Sequence, residues 1–429
     1  MPIALALLAT VEIVSRDATE NAFALGEISL DRTLVPVRDT LPANMAAEAV
    51  WVDQTQVIEA VSLIQIIQHF NSQKLIAPAL PGAVIMVEYP EDLRYIKGQE
   101  RGKRALEITV DGHHNLLLVG TPWCGKSMLA KRIPSLLPPL TPAQALATSI
   151  IDFIFGAARG AISHQPPFRP MHQTTSKIAV VGGGPAAMPG EISLAHNGVL
   201  FIDGFAEFTR EVLECLRQPP EDRDVVVSWA KAHSRYLCQF MLVATANLCR
   251  RGYMADPSRA CARAPLCGAE YIKNISGPMM DRFDLPVEMP PVTFYNLDLS
   301  ANGKSSQQAA ARIANAHKVQ AERYLNNPNL HNKAGLSGAL INTIAPPDSA
   351  RQRMLIHAAE LFHLSARSYH RVLRVARTVA DPGAVKRLPN PHCRGTQLST
   401  GTPRGAARSD YTTRPQSSLP ACLTLQDDV

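Results

Sequence analysis

The sequence predicts an α/β fold: a parallel sheet flanked by helices, with a helical domain after it. Three observations carry that reading. Asn115–Val119, Val199–Ile202 and Met241–Ala244 are unbroken apolar runs of strand length, the pattern of strands buried on both faces of a parallel sheet. Stretches of helical character separate them, as a doubly wound sheet requires. Residues 306–325 and 350–380 are helical in pattern with no strand signal between them, so a helical domain follows the sheet.

Composition fits a globular chain. Of 429 residues, 46% are hydrophobic and 19% charged, and the mean hydropathy is −0.03. That balance excludes wholesale disorder, a collagen-like fibre and a polytopic membrane protein. The net charge is +6, and it is unevenly placed. From Arg351 onward twelve Lys/Arg stand against five Asp/Glu, a basic region that reads either as a phosphate-contacting surface or as a solvated helix face with a charged tail. Eight unevenly spaced cysteines do not form a disulfide framework, which points to a reducing cytosol.

Taken in order, Met1–Val14 is apolar, but it lacks a basic n-region, carries Glu12 and is too short to span a bilayer; it reads as a core helix. Val57, Val61, Ile64 and Ile67, with Ala60 beside them, follow helical spacing between Asp53 and Asn71, and Val84–Val87 reads as a short strand. Residues 1–90 therefore form a small mixed α/β unit. Residues 91–295 hold the sheet, 296–381 the helical domain, and 382–429, rich in Pro, Gly, Ser, Thr and Arg, a disordered tail.

The chemistry is concentrated in one loop. Gly120-Thr121-Pro122-Trp123-Cys124-Gly125-Lys126-Ser127 satisfies G-x-x-x-x-G-K-[ST], leaves the 115–119 strand and opens a helix. Backbone N–H groups of such a loop surround nucleotide phosphates. Lys126 would reach the β- and γ-phosphates, and Ser127 would ligate Mg²⁺. Trp123 and Cys124 occupy positions that usually take small residues. If position 123 needs positive φ, a bulky side chain there costs about 1–2 kcal/mol. Val199–Asp203 is a strand ending in a carboxylate, a Walker B arrangement in which Asp203 holds the metal opposite Ser127. Asn247 ends the third apolar run, where it either senses the γ-phosphate or forms a turn.

These residues resemble the AAA+ ATPases similar to magnesium chelatase subunit I, in their ComM/YifB branch. The resemblance rests on Gly98-Gln99-Glu100, His114–Gly120 running into the phosphate loop, Gly190–Asp203, Ser276–Leu285, Leu364–Arg371 and Val375–Asp381, and it extends from Pro2 to Asp381. It implies a homo-oligomeric, hexameric ring with ATP and Mg²⁺ at subunit interfaces. It implies further that Arg282 is an arginine finger entering a neighbour's site, and that Arg367 is the sensor-2 arginine of a C-terminal helical lid, contacting the γ-phosphate of its own subunit. Phe168–Gly190, with Gly182-Gly183-Gly184, corresponds to an insertion that faces the pore and touches DNA in related motors. Members of this branch resemble helicases that drive branch migration of recombining DNA during natural transformation, and their N-terminal domain resembles that of Lon-type proteases.

The chain departs from the pattern in four places. Met1–Leu8 matches a helix internal to the family's N-terminal domain. Gly204 stands where hydrolysing members carry the glutamate that orients water, with Glu207 the nearest carboxylate. Trp123 and Cys124 replace a Gly-Thr pair. The resemblance stops after Asp381. Relatives also carry Cys-x-Cys pairs suggestive of zinc. Here Cys249 and Cys261 remain, Arg251 and Arg263 replace their partners, and Cys267 supplies a third thiol with no fourth, which argues against zinc. The expectation is an ATP–Mg²⁺-binding protein with impaired hydrolysis. Its rivals are a metal-chelatase motor subunit and a non-catalytic, ATP-gated assembly protein.

Overall fold

The computed structural model describes residues 2–19, 60–77, 91–157, 163–217, 223–229, 232–254, 261–292, 304–324, 349–361 and 364–381, apart from residue 274, together with a few positions between 22 and 89. Val57, the 84–87 strand and the tail from 382 lie outside the described residues.

The predicted sheet is present, with two strands more than the three apolar runs. Strands β1 (Leu116–Gly120), β2 (Phe168–Met171), β3 (Val199–Ile202), β4 (Met241–Ala246) and β5 (Leu285–Met289) are all parallel and lie in the order β5-β1-β4-β3-β2. Val243 stands opposite both Leu116 and Phe201, so the third apolar run lies between the other two and pairs with both. Alternation then splits their side chains between two cores. Leu116, Leu118, Phe201 and Val243 face one; Leu117, Leu200, Ile202, Leu242 and Ala244 face the other. β2 went unread because Phe-Arg-Pro-Met is neither apolar nor free of proline. It lies at the sheet edge, where proline is tolerated. Part of the supposed insertion from Phe168 to Gly190 is thus a strand of the sheet. The remainder forms a short helix, Lys177–Val181, and a two-stranded hairpin pairing Gly182–Gly183 with Met188–Pro189.

Helices α1 (Glu100–Gly112), α2 (Lys126–Ala130), α3 (Pro142–Phe155) and α4 (Leu266–Ile272) belong to the same body. Thr141 and Gln144 close a capping box on α3, with Pro142 at its first turn. The C-terminal helices are α5 (Ser306–Tyr324), α6 (Ser349–Leu361) and α7 (Ala366–Ala380). They are not detached from the sheet: Ala309 and Ile313 of α5 and Val375 of α7 enter the same core as β1. Arg312 of α5 also meets the buried Glu107 of α1, and Arg323 and Arg377 both pair with Asp381.

Two further readings need correction. Pro2–Thr10 is helical, but it is not a core helix among the described residues: Leu5 is buried, whereas Ile3 and Leu7 are 77% and 61% exposed. The expected helix between residues 53 and 71 is found as Leu63–Phe70, started by Ser62 accepting from the Gln65 N–H. The sequence reading also missed the antiparallel hairpin Asp224–Trp229/Ala232–Leu237. There Val227 and Tyr236 turn inward while Val226 and Leu237 face out. No helix of the described residues is long and apolar enough to cross a membrane.

Candidate functional site

The C-terminal ends of β1, β3 and β4 open into one cavity of about 580 Å³, within the range of small-molecule sites. Parallel strands place their following loops on the same edge, so the loops after Gly120, Ile202 and Ala246 converge here although far apart in sequence. Pro122, Trp123, Lys126, Ser127, Asp203, Gly204 and Asn247 all line this cavity.

Hydrogen bonds join the three segments. Ser127 Oγ donates to Asp203 Oδ1 at 2.8 Å. Thr245 Oγ1 donates to the same oxygen at 2.6 Å and accepts from the Gly204 N–H at 3.0 Å. Lys126 Nζ donates to the Gly120 and Thr121 carbonyls at 3.0 and 2.7 Å and to Asn247 Oδ1 at 3.2 Å. Burial holds its ammonium below the ordinary lysine pKa, opposed by Cys124 and Asp203. The donor set fits a Mg²⁺ nucleotide: a hydroxyl and a carboxylate, both hard oxygen donors, adjoin a cation. Gly120, Thr121, Cys124 and Gly125 complete the loop that carries Lys126 and Ser127.

Position 123 does sit at positive φ (+66°), the condition under which a bulky residue is costly. The loop tolerates Trp123 and Cys124 because they point apart. Trp123 is 91% exposed at the cavity mouth, whereas the Cys124 side chain is buried in the core beneath the loop.

Gly204 also sits at positive φ (+73°), and a Cβ added there would lie 3.0 Å from Gln173 Nε2 and 3.5 Å from the Glu207 carboxyl carbon. The Glu207 carboxylate therefore stands next to where a side chain at position 204 would begin. Its two oxygens accept from Gln173 Nε2 at 2.6 Å and from the Tyr271 hydroxyl at 3.5 Å. Burial, then the neighbouring Glu207 charge, pushes the Tyr271 hydroxyl up to about 12, so it remains a donor. Gln173 and Thr245 were missed in the sequence. Thr245 left a signal, a lone hydroxyl in an apolar strand; Gln173 left none, because the edge strand it follows was not legible.

The two arginines lie elsewhere. The Arg282 carbonyl accepts from Asn115 Nδ2 at 2.9 Å, at the start of β1 and so about 16 Å of strand from the phosphate loop. Its side chain is mostly buried. Arg367 is exposed on the first turn of α7. One turn on, Arg371 donates to the Asp281 and Phe283 carbonyls at 3.0 and 2.6 Å. Neither Arg282 nor Arg367 lines the cavity.

Residues 92–297 match the family model of magnesium chelatase, subunit ChlI, and residues 303–394 match that of its C-terminal region. The chain is 32% identical over 424 residues to competence protein ComM of Haemophilus influenzae, covering 91% of this chain and 80% of that protein. It is 34% identical over 404 residues to the uncharacterized protein YifB of Salmonella typhimurium, covering 89% and 77%. The same identity over 398 residues links it to the uncharacterized protein Rv2897c of Mycobacterium tuberculosis, covering 88% and 78%.

The chain belongs to the ComM/YifB-like magnesium chelatase subunit I family. Within that family of AAA+ ATPase-like motors, this chain carries the Gly120–Ser127 loop, Asp203 at the end of β3 and Asn247 at the end of β4, with Gly204 following Asp203.

Proposed function

We propose that this protein binds ATP–Mg²⁺ at the ends of β1, β3 and β4, and that it acts as a slow ATP-driven motor on DNA of the kind the ComM name associates with competence. The single observation that carries the reading is the Ser127 Oγ–Asp203 Oδ1 contact of 2.8 Å inside a cavity that Lys126 also lines.

Each residue has a separable task. The loop from Gly120 to Ser127 holds the phosphates through its amides and through Lys126. Ser127 and Asp203 hold Mg²⁺, which when bound neutralises charge on the transferring phosphoryl group. Asn247, already tied to Lys126, positions the γ-phosphate side of the pocket. Gly204 provides no base, so the residual turnover runs through Glu207, whose carboxylate is partly engaged by Gln173 and Tyr271. Losing or misplacing a general base costs about 10²–10⁴-fold in rate, which is why slow hydrolysis is the expectation.

Neither Arg282 nor Arg367 lines the chain's own cavity. Arg282 serves as the arginine finger of a neighbouring subunit in a cytoplasmic homo-oligomeric ring, hexameric in number, and Arg367 as the lid arginine of its own subunit.

Calorimetry of the full chain with ATP and Mg²⁺ tests the binding claim. Binding is expected, with a loss of at least tenfold in affinity in Lys126→Ala, since a charge-assisted contact to phosphate is worth about 1.5–3 kcal/mol. Absence of heat in the unaltered protein would overturn the reading.

A further inference from the structure

We propose that Gln173 orients the attacking water in place of a side chain at position 204, so that Gln173 and Glu207 act as one hydrolytic unit; the inference rests on the reading of this cavity as an ATP site. The register of the sheet brings Gln173 there. β2 and β3 are parallel, with Met171 opposite Ile202. Two residues further along each segment, Gln173 comes level with Gly204, and both line the cavity.

The space beside Gly204 is taken by this amide. A Cβ added to Gly204 would meet Gln173 Nε2 at 3.0 Å and Glu207 Oε2 at 3.6 Å, and Gln173 Nε2 donates to that same oxygen at 2.6 Å. The hydrogen bond therefore runs across the place from which a glutamate at 204 would project. Both partners are held locally. Gln173 lies in a turn closed by the Thr175 N–H on the His172 carbonyl at 2.9 Å. That turn joins β2 to the helix Lys177–Val181, which Ser176 caps by accepting from the Ala179 N–H at 3.3 Å. Glu207 ends a tight turn, its N–H donating to the Gly204 carbonyl at 2.8 Å, and its other carboxylate oxygen accepts from the Tyr271 hydroxyl.

The chemistry of the two groups is complementary. An ionised carboxylate only accepts, so the carboxamide presents its NH₂ to Glu207, and Gln173 Oε1 is left as an acceptor for water. A glutamine suffices to orient the attacking water in phosphoryl transfer; Glu207 supplies the basicity that an amide lacks. In the step, the water oxygen bonds to the γ-phosphorus while the bond from that phosphorus to the β–γ bridging oxygen breaks, and ADP leaves with the electron pair. One water proton passes to Glu207 and the other stays on the new phosphate oxygen. Gln173 neither gains nor loses a proton.

Steady-state phosphate release by the full chain, with ATP binding followed by calorimetry, tests this. Gln173→Ala should lower kcat by about tenfold or more, as a misplaced nucleophile does, with the KM and the affinity for ATP little changed. In the Glu207→Gln background the same substitution should add less than about twofold, because residues that act as a unit are not additive. Ser176→Ala removes the cap beside the same loop, at a position that does not line the cavity, and should leave kcat unchanged. An unaltered kcat in Gln173→Ala overturns the proposal. So do effects that multiply in full in the double variant, or a Ser176→Ala chain as slow as Gln173→Ala. A wild-type chain that binds ATP yet releases no more phosphate than Glu207→Gln overturns it too, while the nucleotide site stands. A wild-type chain that takes up no ATP overturns the site and this inference together.

Discussion

Glu207 reaches the cavity from the short turn beyond Asp203, and its carboxylate adjoins the space that a side chain at Gly204 would enter. Two substitutions separate the contributions of these positions. Glu207→Gln should lower phosphate release by about 10²-fold or more if this carboxylate is the working base, with nucleotide affinity little changed; an unaltered rate would assign turnover elsewhere. Gly204→Glu should not restore fast hydrolysis on its own. Its backbone lies at φ +73°, where an L side chain costs about 1–2 kcal/mol, and the new Cβ would press on Gln173. A Gly204→Glu chain with release rates well above wild type would refute this account.

At the scale of elements, two junctions set the stability of the framework. The first precedes β3. His196 is buried, its Nδ1 accepting from the Gln239 N–H at 3.1 Å, and burial pushes it down from 6.5 to about 4. The unfolded chain takes up this proton near pH 6.5 and the folded chain only near pH 4. Between these values the unfolded state holds more protons, so stability falls as pH falls. The cost reaches about 3 kcal/mol at the acid end, and none arises above pH ~7.5. Urea midpoints measured across that window should show the decline, and His196→Asn should flatten it. The second junction is Arg371, which holds α7 to the segment before β5. Arg371→Ala leaves the Phe283 carbonyl without that donor and should destabilise the fold by about 1–3 kcal/mol. Thermal unfolding with and without the substitution measures it.

For the whole molecule, neither Arg282 nor Arg367 lines the cavity, and the proposed ring would carry an arginine of one subunit to the cavity of the next. Size-exclusion chromatography with light scattering should find assembly promoted by ATP. Within the assembly, Arg282→Ala should retain nucleotide binding and lose phosphate release by about 10³-fold or more, the worth of an arginine finger. Mixing Arg282→Ala chains with Lys126→Ala chains should recover activity at the interfaces where an intact arginine meets an intact cavity. Mixtures as inactive as their components would place the arginines outside a shared site.

The sequence by itself determined the parallel sheet, the phosphate loop and Asp203, because each depends on contiguous residues: apolar runs buried on two faces, and a loop whose spacing carries its chemistry. It also marked the C-terminal helices by their periodicity. It did not reveal β2, whose proline and arginine hide an edge strand, nor therefore Gln173. Nor could it show that Trp123 and Cys124 diverge, or that three cysteines spread over nineteen positions meet within 4.8 Å. Those facts follow from which strand ends adjoin and which helix docks where. Such contacts between residues distant in the chain leave no local pattern, and only the folded arrangement decides them.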